Sequence, residues 1–130
     1  MITYAERACF ARHHLEILSR TEVLVSCVSD AWGNELRCHE MARAVYAALG
    51  RVADLVVIDG KCGPVEHSWL RFLDGVILDP YAPGRLPAVQ LIDPIVGTAY
   101  RPGVPRTDVR RKIVKRLVAE MCGDALATVV

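Results

Sequence analysis

Between Leu36 and Gly50 the chain has little choice of conformation. Met41, Ala44, Val45, Ala48 and Leu49 recur at intervals of three and four residues, and Gly50 stands where a helix C-cap is wanted. The spacing predicts a helix over residues 36–49. Its alanines (Ala42, Ala44, Ala47 and Ala48) keep its surface low in bulk, so a sheet can pack closely against it and the helix belongs at the centre of the molecule.

The flanking segments extend this frame. Thr3 and Glu6 have capping-box spacing, and Ala8, Ala11, Leu15 and Leu18 then predict a first helix over about residues 4–19. Residues 23–28 are a short apolar, β-branched run that reads as a strand or as the end of a second helix, and residues 29–34 have turn chemistry. After the central helix come three β-prone stretches, 53–59, 65–73 and 75–79. Asp74 and Gly75 predict a tight hairpin between the last two, with Leu73 opposite Val76. Residues 80–105 hold six of the seven prolines and cannot be helical throughout; 88–96 has the makings of a short strand. Thr107 and Asp108 begin a closing helix with Val109, Ile113, Leu117 and Met121 on one face, basic residues Arg110, Arg111, Lys112, Lys115 and Arg116 around the rest, and Gly123 at its end. The expected class is α+β: N-terminal helices and a cysteine-bearing central helix packed on a small antiparallel sheet.

At 130 residues and 52% hydrophobic, the chain suits one domain spanning residues 1–130. Sixteen basic against fifteen acidic residues leave a net charge of +1, which gathers neither nucleic acid nor an anionic membrane. The five cysteines (Cys9, Cys27, Cys38, Cys62 and Cys122) lack the spacing of a disulfide framework or a zinc knuckle, so a reducing compartment is expected. The N-terminus has no basic and apolar signal pattern, and no apolar run reaches the length of a membrane span. The expected location is the cytoplasm; export without a cleavable signal would leave the same sequence.

Three residues in order carry the chemistry. Cys38 falls in the first turn of the central helix, where unpaired amides and the positive end of the dipole stabilise a thiolate. Cys9, Cys27 and Cys122 read instead as buried packing residues. His67 lies on a strand whose alternation puts Val65, His67, Trp69 and Arg71 on one face, where an imidazole can take the thiol proton; a lone strand histidine is also a common structural residue. Asp79 ends the next strand, and the expected hairpin brings it within one or two rungs of His67, where a carboxylate fixes the imidazole tautomer. Its alternative role is a turn cap before Pro80.

The succession Arg37-Cys38-His39-Glu40-Met41-Ala42, Ala47-Ala48-Leu49-Gly50, Val57-Ile58-Asp59-Gly60, Glu66-His67-Ser68-Trp69-Leu70 and Val76-Ile77-Leu78-Asp79-Pro80 resembles the core of the transglutaminase-like superfamily. The match covers about residues 34–82, and its most specific pieces are the His-x-Trp and the Leu-Asp-Pro on successive strands. The resemblance implies a papain-like fold with Cys38 as nucleophile, His67 as general base and acid, and Asp79 as orienter. It implies a thioester formed with an amide of a protein or peptide, passed on to water or an amine, with proteolysis, deamidation or crosslinking as outcomes and no cofactor. Trp32 and Asn34 are candidate oxyanion-hole donors beside the backbone N–H of Cys38.

Other readings remain. A noncatalytic interaction domain of the same fold has the same sequence pattern. Cys38, His39, Cys62 and His67 can be drawn as a zinc site, though without the short loop spacing of structural zinc. The 110–116 basic run is the solvated face of a helix or a docking surface for an acidic protein.

Overall fold

The computed structural model describes residues 10–82 and 89–123. The Thr3 and Glu6 capping pair, the opening turns of the expected first helix and Cys9 lie outside the described residues. The elements are α1 (Arg12–Ser26), a 3-10 segment (Asp30–Glu35), α2 (Cys38–Ala48), β1 (Leu55–Cys62), β2 (Val65–Phe72), β3 (Ile77–Asp79), β4 (Gln90–Ile92), β5 (Tyr100–Pro102) and α3 (Arg111–Cys122). The class is α+β, and the strands form one antiparallel sheet in the order β4-β3-β2-β1-β5. Among the described residues no helix is long and apolar enough to cross a membrane.

Residues 23–26 form the end of a helix and not a strand, and that helix starts at Arg12 behind the extended N-cap Ala11, later than the expected start near residue 4. Nothing between Ser19 and Ser26 breaks the helix, and the one polar residue turned inward, Thr21, returns its hydroxyl to the Ile17 carbonyl at 2.8 Å. Val23, a strand former by type, is left on the exposed side. In α2 the helix opens at Cys38, two residues after the expected start. Leu36 closes the 3-10 segment, and Arg37 is an extended N-cap. Gly50 takes the positive φ of 84° that the C-terminal position requires.

Met41, Ala44 and Val45 of α2 join Leu55, Leu70, Phe72 and Leu78 of the sheet in one buried cluster, closed from the other side by Leu117 and Val118 of α3. The buried stripe of α3 is Val114, Leu117, Val118 and Met121, with Ile113 and Val109 only half-buried, so the expected face is rotated. The helix also begins later than Thr107. Asp108 does not cap it, because its carboxylate is taken by the Arg106 guanidinium at 2.8–2.9 Å and by Arg37 at 3.4 Å.

The hairpin between β2 and β3 has a three-residue turn, Leu73, Asp74 and Gly75, where two were expected. The Leu73 amide is drawn away to the Asp54 carbonyl (2.9 Å), Asp74 Oδ1 accepts the Val76 N–H (3.1 Å), and Gly75 supplies φ 96°. The register therefore pairs Leu70 with Leu78 and Arg71 with Ile77. One rung further, Asp79 falls opposite Trp69 and so shares the face of His67. The two-residue turn would have set Asp79 opposite Leu70, on the other face.

Within the proline-rich stretch, β4 lies inside the expected 88–96 strand, and β5 is an addition the sequence reading did not contain. It pairs along β1 with Cys62 opposite Tyr100 and Gly60 opposite Pro102. A Cβ at Gly60 would collide with the Arg101 carbonyl, so glycine is what lets β5 approach. Pro102, lacking an N–H, is tolerated because β5 is an edge strand.

Candidate functional site

Cys38 occupies the first position of α2. The first helical bond runs from the Met41 N–H to the Arg37 carbonyl at 3.1 Å, so the amides before it lie outside the helical ladder and at the positive end of the dipole. The residue is partly exposed, and its sulfur lies 3.6 Å from Nδ1 and 3.9 Å from Nε2 of the neighbouring His39.

His67 is 2% exposed, and its Nε2 pairs with Asp79 Oδ2 at 2.7 Å. Asp79 is fully buried and fills both roles weighed for it. Its Oδ1 accepts the Tyr81 N–H across the turn at 3.0 Å while Oδ2 holds the imidazole. With Nε2 occupied, Nδ1 is the nitrogen left for the thiol, and Cys38 lies within hydrogen-bonding and electrostatic reach of the ring. Burial opposes a charged imidazole here, but the hydrogen bonds and charges of Asp79 and Cys38 outweigh it and raise the His67 pKa from 6.5 to about 9. Of the three residues named from the sequence, His67 and Asp79 are hydrogen-bonded to each other, and Cys38 is near enough to act on the ring.

Tyr100 completes the arrangement, and the sequence reading missed it. Its hydroxyl donates to Asp79 Oδ2 at 2.5 Å, so one carboxylate oxygen serves two donors. Burial and the Asp79 charge push the phenol far above its ordinary range, which keeps it a donor. Its ring meets Trp69 edge-on at 5.1 Å, and Trp69 stacks on His67 at 6.0 Å. The available signal was an aromatic residue bracketed by Gly97 and Pro102, too short for periodicity to register.

A second buried chain starts one residue after Cys38. His39 Nδ1 lies 2.7 Å from Ser68 Oγ, the Ser68 hydroxyl donates to Asp59 Oδ1 at 2.5 Å, and Arg43 grips Asp59 at 3.1 and 2.6 Å. His67 and Ser68, adjacent on β2 and pointing to opposite faces, therefore each carry an acid-linked network toward the start of α2.

The oxyanion-hole candidates are placed differently from each other. Trp32 is buried with its indole N–H donating to Glu120 Oε2 at 2.6 Å and the Arg116 guanidinium over its ring at 4.5 Å, so that donor is engaged by α3. Asn34 is exposed in the 3-10 segment, just after the kink at Gly33.

Cys27 and Cys122, read as buried, are both exposed. Each ends a helix, where the apolar stripe has already turned away. Cys62 is half-buried beside Tyr100 on the β1–β5 ladder. Among the described residues no group of three or more histidine, cysteine or acidic side chains is placed to hold a metal ion. Of the basic run, Arg110 does not belong to the solvated face. It turns in to the buried Glu40 at 2.8 Å, while Arg111, Lys112, Lys115 and Arg116 stay exposed. Comparison with known proteins gives no match to a family model, a curated protein or a solved structure.

Proposed function

We propose that this chain is a cysteine-dependent amide hydrolase or acyltransferase with a papain-like, transglutaminase-like fold, acting on a protein or peptide through a thioester. The observation that carries the reading is the buried His67–Asp79 pair, 2.7 Å apart, beside a thiol in the first turn of a helix. In this reading Cys38 attacks the amide carbonyl as a thiolate held by the imidazolium of His67. The C–N bond breaks as His67 gives its proton to the leaving nitrogen, and Asp79 keeps the ring oriented throughout. The backbone N–H of Cys38 receives the oxyanion, with Asn34 as the side-chain candidate, since the Trp32 N–H is held by Glu120. The thiols of Cys27, Cys38 and Cys122 fit action in a reducing cytoplasm.

Alkylation by iodoacetamide tests the nucleophile. Because Cys27 and Cys122 are also exposed, the informative quantity is the rate at each cysteine as a function of pH, read by peptide mass spectrometry. Cys38 should react fastest at pH 6–7, and His67→Ala should slow it by about tenfold or more while the other sites keep their rates. Equal rates at neutral pH would leave a noncatalytic domain as the better reading, and such a domain would retain partner binding in Cys38→Ala.

A further inference from the structure

The inference rests on Cys38 forming a thioester, and it concerns the second imidazole beside the sulfur. Asp59 receives two contacts from Arg43 and a third from the Arg106 backbone N–H at 3.0 Å. Burial disfavours its charge, but these donors and Ser68 bring its pKa down to about 2, so it is ionised at neutral pH. An ionised carboxylate only accepts, and the Ser68 hydroxyl must give it its single proton. Ser68 Oγ then offers His39 only lone pairs, which places the ring hydrogen of His39 on Nδ1. His39 is 6% exposed, and the charged groups facing it are Arg106 and Asp108 from the segment before α3 and Arg37 and Glu40 from the start of α2. Burial, Arg106 and Arg37 together lower its pKa against the two acids, so the ring is neutral. Nε2 is left with a lone pair, 3.9 Å from Cys38 Sγ.

We propose that His39 is the general base of the second half-reaction, accepting on Nε2 the proton of the water or amine that attacks the Cys38 thioester. The attacking oxygen or nitrogen bonds to the carbonyl carbon as its proton passes to His39. The C–S bond then breaks, and its electron pair returns to the sulfur. The proton on His39 moves across the sulfur to His67, which had given up its own to the first leaving group, and the starting ion pair is restored. The two imidazoles divide the work: His67 protonates what leaves, and His39 deprotonates what arrives.

The tautomer is read directly from the ring nitrogen shifts of the wild-type chain at pH 7. Nδ1 protonated and Nε2 bare is expected; an Nε2–H ring or a doubly protonated one overturns the proposal. The chemistry is read with p-nitrophenyl acetate, following acetylation of Cys38 and its loss by mass spectrometry. His39→Asn keeps an amide donor near Ser68 and removes the distal acceptor. Acetylation should change by less than about threefold while deacetylation slows by about 100-fold or more, the usual weight of a general base. Ser68→Ala, which releases the tautomer, should also slow the second step selectively. Unchanged deacetylation in both variants, or equal losses in both steps, overturns the assignment of His39 and leaves Cys38 as nucleophile intact. A wild-type chain that never acetylates Cys38 overturns the nucleophile itself.

Discussion

At the scale of single residues, the site turns on how Asp79 divides one negative charge. Its Oδ2 accepts from both His67 and Tyr100, and each donor weakens the pull of that oxygen on the other. Removing the phenol hydroxyl in Tyr100→Phe leaves more of the charge to act on His67, so the imidazole pKa should rise above about 9, whereas Asp79→Asn should lower it. Titration of the His67 ring protons by NMR decides this, and an unchanged value in Tyr100→Phe would mean that the phenol merely fills space. The same shift has a consequence for stability. The unfolded imidazole titrates near 6.5, so below that pH both states hold the proton and the pair contributes fully. As pH rises from about 6.5 to 9 the folded state retains a proton that the unfolded state has lost, and the contribution drains away. Loss of the buried charged hydrogen bond in Tyr100→Phe should cost about 2 kcal/mol in addition.

At the scale of elements, the start of α2 is fixed to α3 by a fully buried carboxylate. Glu40 is fully buried and receives Arg37 from its own helix start, Arg110 from the cap of α3 at 2.8 Å, and the Arg110 backbone N–H at 3.1 Å. This clasp sets where Cys38 sits, because it anchors the turn that presents it. Burial raises the Glu40 pKa, but the guanidinium and amide donors prevail and hold it at about 2. The group therefore stabilises the fold fully above the ordinary carboxylate range, and that contribution is lost as pH falls from about 4.5 toward 2. Glu40→Gln should destabilise the neutral protein by about 3 kcal/mol, since it leaves two guanidinium groups facing a neutral amide. The gap between variant and wild type should close on acidification, as followed by urea midpoints between pH 7 and pH 2. A gap that is constant with pH would show that packing, and not charge, makes the clasp.

At the scale of the whole molecule, what could be read from the sequence is what short-range periodicity encodes. The Ala-rich helix ending at Gly50, the alternation that puts His67 and Trp69 on one face, and the order of helices before strands all follow from spacings of two to four residues. What escaped was decided by side-chain and backbone partners that periodicity does not encode. Asp108 reads as a cap until Arg106 and Arg37 are seen to hold it, and β5 exists because Gly60, forty residues earlier, leaves room for it. The His39–Ser68–Asp59 chain joins positions that no spacing rule connects. The turn at Leu73, Asp74 and Gly75 belongs to the same class, since an amide claimed by Asp54 sets its length. Deleting Asp74 should give a chain with native-like circular dichroism but an alkylation profile at Cys38 resembling that of Asp79→Ala; retained wild-type reactivity would show that the strands slip to compensate. The length of one solvent-facing turn thereby acts as a heritable switch. A single codon lost there, with Cys38, His67 and Asp79 all still encoded, carries the Asp79 carboxylate to the face opposite His67, and a single codon regained brings it back.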